Sequence, residues 1–314
     1  SLSSSYTLIH RYICAAVCSL GVLLNSLHII VLTRRPMRAF AINNILSCVA
    51  ICDVITMLSY LIYIFRFKIL DDDDEIYGYS YSWLFFLMCH VIVSIALHTV
   101  SLYLCVVMAF VRWNALDRLD SRWVKTRSVG LSLSLPLSLS LSLPLSLSLS
   151  LSLFLSLSLS SSLSSSLFSP KPHSLLYTIT MDDRALRDGC ALLKGNLWLT
   201  GICFKVIPCA LLFGFTVALM RKLCEMSKKR RLLLASTRRK AKGVDKTTVM
   251  LIIMLTVFLC TELPQGALAI LNAIYTTHVH EFVYINLGEL LDLLSLVNCN
   301  VGFVLYCAMS SRYR

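Results

Sequence analysis

The sequence predicts an all-α membrane protein, a seven-transmembrane helix bundle whose fourth span is replaced or obscured by a leucine-serine tract. Apolar residues make up 57% of the chain, the mean hydropathy is +0.75, and only 15% of the residues are charged. Soluble globular domains carry about 25% charged residues, so the composition favours a polytopic membrane protein. The placement of the basic residues, and single polar residues inside apolar runs, point to the same class.

Six apolar runs are long enough to cross a bilayer. At about 1.5 Å per residue, a helix of about 20 residues covers the hydrocarbon core of about 30 Å. The predicted spans are residues 9–33, 42–65, 82–111, 197–220, 247–274 and 282–309. Together with a doubtful fourth span they form one membrane domain over residues 1–314.

Basic residues are concentrated between particular spans. Residues 221–246 hold eleven Lys or Arg against Glu225 and Asp245, and further basic residues follow the first and third spans. By the positive-inside rule these loops are cytoplasmic, and the acidic run 71–75 lies outside. This predicts an outer N-terminus and a cytoplasmic C-terminus at the plasma membrane. Because the basic residues behind the net charge of +12 are concentrated in such loops, they predict contact with anionic membrane lipid rather than nucleic acid.

Residues 131–167 form a low-complexity tract that alternates leucine and serine. A period of two matches a strand, yet a strand with unpaired edges is not stable in lipid. An odd number of crossings must separate the basic loop after the third span from the outer start of the fifth, and only this tract can supply one. Ten central leucines contribute roughly −3 to −6 kcal/mol to insertion, which the serines erode, so insertion is marginal. A translated dinucleotide repeat in a mis-assembled gene product is the alternative.

Single polar residues and prolines interrupt the apolar runs. They are Asn25, Asp53, Arg112, Pro208, Pro264 and Tyr306. A charge or proline in hydrocarbon is costly and usually marks function, although a packing accident, a snorkelling arginine or a structural kink is the plainer explanation for each alone. We expect both prolines to lie mid-span and bend their helices. The order of the six residues resembles that of rhodopsin-like G-protein-coupled receptors.

Short motifs extend this resemblance. Residues 49–53 match the LAxxD pattern, and Val111-Arg112-Trp113 corresponds to the D/E-R-Y motif. Val111 replaces the acid that restrains the arginine, which predicts raised basal activity. Residues 258–264 follow the FxxCWxP pattern with Glu262 in place of tryptophan.

Three segments resemble a narrower group, the invertebrate neuropeptide receptors of the FMRFamide, myosuppressin and sex-peptide type. They are residues 261–266, 287–292 and 303–307. The resemblance implies a ligand cavity between the third, fifth, sixth and seventh spans. Its predicted ligand-binding residues are His98, Glu262, Gln265, Glu289 and Asp292. A carboxylate there would bind the guanidinium of a peptide ending in Arg-Phe-amide by paired hydrogen bonds.

The rhodopsin-like resemblance also implies switch, ion and disulfide sites. The activation switch would comprise Arg112, Trp113, Phe258, Pro264 and Tyr306, and would act on a heterotrimeric G protein. Asp53, Ser101 and Asn298 would form a pocket for an allosteric sodium ion, since oxygen ligands suit a hard cation; no other cofactor is expected. Gly302 departs from the family pattern by replacing the asparagine of NPxxY.

Cys89 and Cys190 are predicted to form a disulfide bond, although receptors with this bond usually carry the first cysteine where Leu87 stands. The alternatives to a peptide receptor are a non-functional gene product and a secondary transporter, but no internal repeat of the transporter kind is visible. The Ser, His and Asp residues do not show the spacing of a nucleophile and its base, so the sequence does not support an enzyme.

Overall fold

The bundle consists of long helices with two short π-helical turns. The computed structural model describes residues 2–38, 41–70, 79–117, 163–165, 177–179, 195, 198, 201–236, 246–274 and 285–309. The helices are α1 Leu2–Leu32, α2 Arg35–Arg38, α3 Ala41–Ile64, α4 Tyr81–Asp117, α5 Ile207–Ser236, α6 Lys246–Ile274 and α7 Ile285–Met309. One π-helical turn, Phe65–Ile69, continues α3, and the other, Gly201–Val206, leads into α5.

Six helical stretches in the described part of the chain are long and apolar enough to cross a membrane. They are Ile9–Leu32, Ile42–Ile69, Tyr81–Asn114, Gly201–Lys228, Val249–Leu268 and Leu287–Cys307. Each of the six predicted spans overlaps one of these stretches, which confirms six membrane-length apolar helices, although the bounds differ by up to eight residues. The basic segment 221–246, predicted as a loop, is partly helical, because α5 runs on to Ser236. Lysine, arginine and leucine are good helix formers, so this helix does not have to end where the lipid ends.

The helices close into a ring. Each packs on the next in the order α1, α3, α4, α5, α6 and α7, and α7 returns to α1. Large apolar side chains such as Leu23, Phe85 and Phe213 are exposed on the outer surface, where lipid would solvate them. The ring leaves a core in which polar groups are shielded from hydrocarbon.

Gly21 lets α1 approach its neighbours closely. A Cβ atom there would overlap Met57 Sδ and lie 2.8 Å from Asn300 Oδ1. A larger residue would require the Met57 and Asn300 side chains to move, and small residues of this kind are typical of membrane helix interfaces. Asn25, one turn later, donates to the carbonyls of Gly21 at 3.0 Å and Cys299 at 3.1 Å. This corner fixes the depth of α7 in the ring.

One end of the leucine-serine tract is a strand. β1, Leu163–Ser165, pairs antiparallel with β2, Tyr177–Ile179, so that Leu163 faces Ile179. This strand lies where the strict alternation of leucine and serine has ended, and this end of residues 131–167 belongs to no helical span. The rest of the predicted fourth span, like the acidic run 71–75, lies outside the described residues.

The two prolines occupy different positions. Pro264 lies inside α6, as predicted. Pro208 is the second residue of α5, directly after the π-helical turn, and lies inside the membrane-length stretch Gly201–Lys228. Because the π-helical turn continues directly into α5, Pro208 has helix on both sides, and the bend expected there stays a prediction.

Candidate functional site

Glu262 on α6 lies at the centre of a buried polar cluster. Its side chain is 0% exposed, and its Oε2 accepts a hydrogen bond from Lys205 Nζ at 2.8 Å. His98 Nε2 on α4 lies 3.0 Å from the same oxygen. A buried carboxylate is costly unless it is paired and hydrogen-bonded, and these two contacts supply the pairing. The structure thus brings the predicted residues His98 and Glu262 together.

Lys205 extends the cluster to two more helices. Its Nζ donates to Gln265 Oε1 at 2.9 Å, and Gln265 Nε2 donates to the carbonyl of Leu291 on α7 at 3.0 Å. Lys205 itself belongs to the π-helical turn before α5. Sequence reasoning missed this residue. The available signal was a lone lysine in an apolar run, three residues before Pro208, since an ionisable side chain inside a span implies an internal partner.

Two proton arrangements satisfy the cluster. His98 Nε2 lies 3.0 Å from Lys205 Nζ as well as 3.0 Å from Glu262 Oε2. A ring nitrogen either carries a proton, which it can donate to Glu262, or a lone pair, which can accept from Lys205. In both arrangements Lys205 keeps its bonds to Glu262 and Gln265. Glu262 Oε1 is buried and has no hydrogen-bond partner among the described residues, so the carboxylate retains one unused acceptor.

The other two predicted ligand residues lie on α7. Glu289 is partly buried and Asp292 is exposed. Asp292 is close enough to Lys205, Glu289 and His98 for their charges to interact. In the described part of this region, the Lys205 ammonium thus interacts with the carboxylates of Glu262 and Asp292, and Glu289 lies near Asp292.

A small cavity lies next to this cluster. It offers about 30 Å³ to water-sized molecules, and Asp53, Ser101 and Asn298 all line it, as predicted for an ion pocket. The remaining lining residues are Val49, His98, Cys105, Met254, Phe258, Cys299, Val301 and Gly302. Because His98 lines the cavity and also contacts Glu262, the cavity and the Glu262 cluster share a wall.

The polar atoms around the cavity fit a hard cation. The Cys299 thiol is hydrogen-bonded to Asp53, and the buried Ser101 hydroxyl lies next to the Cys52 thiol. The space suffices for one or two small occupants, since a water needs about 10–15 Å³ by this measure. A carboxylate, a hydroxyl and an amide oxygen are donors that a sodium ion would accept. Sodium binding stays a prediction.

The predicted switch residues lie on α4, α6 and α7. Arg112 is partly buried on α4, and the Trp113 ring packs 6.4 Å from Phe215 and lies 4.9 Å from Lys222 Nζ. Phe258 lines the cavity and is 9% exposed. Their roles in switching stay predictions.

Tyr306 ties α7 to α3. Its hydroxyl donates to Asn43 Oδ1 at 2.8 Å, and its ring lies 5.3 Å from that of His28 on α1. Asn43 was another residue missed from the sequence, because a polar residue near a helix end carries no distinctive signal. The disulfide prediction stays untested, since Cys190 lies outside the described residues.

Comparisons with known proteins agree with this architecture. Residues 12–314 match the family model described as serpentine type 7TM GPCR chemoreceptor Srw. The chain is also 31% identical over 358 aligned residues to the G-protein coupled receptor dmsr-1 of Caenorhabditis elegans. That alignment covers 100% of this chain and 68% of the relative.

Proposed function

Because the chain belongs to the Srw family of serpentine seven-transmembrane G-protein-coupled receptors, and is thus a multi-pass membrane receptor and not an enzyme, we propose that its ligand is a neuropeptide. The proposed peptide is FMRFamide-like or myosuppressin-like, with an arginine next to an amidated C-terminal phenylalanine. Receptors of this family act through a ligand and a heterotrimeric G protein. The finding of receptor relatives removes the support for a transporter.

One observation carries the ligand proposal: the fully buried Glu262 keeps Oε1 without a partner at the junction of α4, α5, α6 and α7. A guanidinium offers parallel N–H donors that match both oxygens of a carboxylate, and such charge-assisted pairs are stronger than neutral hydrogen bonds. Glu289 and Asp292 add negative charge on the approach to this group. The resemblance of residues 261–266 and 287–292 to peptide receptors supports the same ligand class.

Signalling then follows from a ligand-dependent shift between two arrangements of the bundle. Agonist binding between the outer halves of α4 to α7 favours the arrangement in which α6 has swung out about Pro264. Arg112 then meets the G protein on the cytoplasmic side. In the proposed topology the N-terminus lies outside the plasma membrane and the C-terminus lies inside.

The test pairs one change in the peptide with one in the receptor. Cells expressing the full chain are treated with Phe-Met-Arg-Phe-amide or with its citrulline analogue, which keeps the shape of arginine but lacks its charge. G-protein activation is recorded by resonance energy transfer with a panel of Gα subunits. We expect citrulline to reduce potency about 30- to 100-fold on the wild type, equivalent to roughly 2–3 kcal/mol for a charged hydrogen-bond pair.

The variant Glu262→Gln should lose a similar factor with the arginine peptide and distinguish the two peptides by only a few-fold. Glu225→Gln, an exposed carboxylate on α5, is the matched control and should behave as the wild type. A wild-type receptor that reaches the surface and responds to neither peptide would refute the proposed ligand. Equal potency of the two peptides would refute the role of Glu262.

A further inference from the structure

Lys205 occupies the position on Glu262 that a cationic ligand would need. Its ammonium group lies 2.8 Å from Glu262 Oε2. Within the described part of the chain, it is the lysine that compensates the negative charge of Glu262. We propose that Lys205 is an internal counter-ion, which restrains the receptor at rest by holding the start of α5 to α6, and which an activating guanidinium displaces. The second half of this proposal rests on the cationic ligand proposed above.

The geometry lets the Lys205 ammonium move away from Glu262 and still remain near another negative charge. The Lys205 side chain is 21% exposed, whereas that of Glu262 is 0% exposed, so the lysine lies on the open side of the pair. Its flexible four-carbon stem can carry the ammonium toward other anions. Asp292 already interacts with Lys205 through charge and is exposed. Displacement therefore exchanges one carboxylate partner for another.

An arginine side chain gains something from Glu262 that Lys205 does not. Lys205 and His98 both contact Oε2, while Oε1 has no partner among the described residues. An ammonium is a point charge, but a guanidinium is a planar fork that can bond both oxygens. The unused Oε1 thus favours replacement of the lysine by a guanidinium, and a neutral group at the same position would leave the carboxylate without a counter-charge.

The same pair also restrains the helices. Lys205 lies in the π-helical turn three residues before Pro208, and Glu262 lies two residues before Pro264. The ion pair and the Gln265 bond to Lys205 at 2.9 Å therefore connect the start of α5 to α6 next to its helix-interior proline. Loss of these bonds removes a contact that opposes movement of α6 relative to α5. Displacement of Lys205 is then a direct route from ligand binding to activation.

The main variant is Lys205→Met, which keeps the length of the side chain and removes its charge. Lys68→Met is the matched control, because Lys68 is an exposed lysine in the other π-helical turn. Basal G-protein activation is normalised to surface receptor, and dose responses are taken with Phe-Met-Arg-Phe-amide and its citrulline analogue. For Lys205→Met we expect basal activity to rise several-fold. Potency of the arginine peptide should rise about tenfold, with that of the citrulline peptide changed by less than about twofold.

Wild-type basal activity in Lys205→Met at normal surface density would overturn the restraint. Weaker binding of the arginine peptide, or equal shifts for both peptides, would overturn the displacement. Should the single variant fail to reach the surface, Lys205→Met combined with Glu262→Gln removes the stranded carboxylate and must still show raised basal activity, while Lys205→Arg must keep it low. The basal measurement needs no ligand, so it decides on the restraint even if neither peptide activates the wild type and the ligand proposal fails.

Discussion

Two carboxylates inside this bundle are compensated in different ways. Glu262 has an ammonium at 2.8 Å and an imidazole nitrogen at 3.0 Å. Asp53 has no Lys, Arg or His at ion-pair distance in the described part of the chain, and instead lines a cavity with Ser101 and Asn298. A charge in a region of low dielectric constant must be neutralised, paired or solvated. At Glu262 the protein supplies the counter-charge, and at Asp53 it leaves room for water, a proton or a small cation.

The difference predicts which carboxylate contributes more to the stability of the fold and which one has room for an ion beside it. Breaking a buried ion pair leaves the other charge without compensation, whereas neutralising an unpaired carboxylate removes a desolvation cost. The same chemical substitution should therefore have opposite consequences in the two regions.

The largest effect is expected on stability. Glu262→Gln should lower the free energy of unfolding by about 3 kcal/mol, because Lys205 loses its counter-charge. Asp53→Asn should change it by less than about 1 kcal/mol or raise it, since no ion pair is broken. Thermal unfolding of the detergent-solubilised receptor, followed by labelling of buried thiols such as Cys14 and Cys105, measures both. Equal losses of stability would show that the two carboxylates are compensated alike.

A smaller effect is expected on agonist affinity, whose dependence on sodium should require Asp53 but not the acids of the ligand region. Replacing N-methylglucamine by sodium should weaken agonist binding to the wild type about five- to tenfold, a typical allosteric coupling. Asp53→Asn should abolish this dependence. Glu289→Gln, which changes an acid of the ligand region, should retain it. Agonist displacement curves in the two salts provide the measurement, and a sodium effect that survives Asp53→Asn would place the ion elsewhere.

The smallest effect is expected from a substitution in the wall of the cavity beside Asp53, and it tests whether that cavity holds the sodium ion. Gly302 lines it, and a Cβ added there would have no atom within 4 Å. Gly302→Asn should therefore fit and add an amide oxygen, which we expect to increase the sodium effect on agonist affinity about threefold. Gly302→Ala adds volume without an oxygen and is the control. Identical sodium responses in the two variants would mean that the side chain at this position does not reach the ion.

The sequence predicted which polar residues face the interior of the bundle better than it predicted the contacts that these residues make. Asp53, Ser101, Glu262 and Asn298 all lie inside the ring, as their chemistry required. The π-helical turn before α5 was not predicted, because no residue pattern distinguishes it from an α-helical start.

The partner of Glu262 shows most clearly what could not be predicted from the sequence. Lys205 and Glu262 are far apart in the chain and lie in different helices, and no motif in either segment indicates that the two side chains are in contact. Their contact depends on how far each helix is rotated and how deep it lies. Those variables are fixed by packing elsewhere, including the close approach of α1 at Gly21 to Met57 and Asn300.

By itself the sequence determined the six long apolar spans and several of the polar residues that face inward. The reason is that charges and polar groups in hydrocarbon cost so much that few arrangements remain. Only the tertiary structure decided which inward groups neutralise one another, so that Glu262 is held by Lys205 and Asp53 borders a cavity. That choice depends on distances of a few ångströms between helices, which the packing of the whole ring sets.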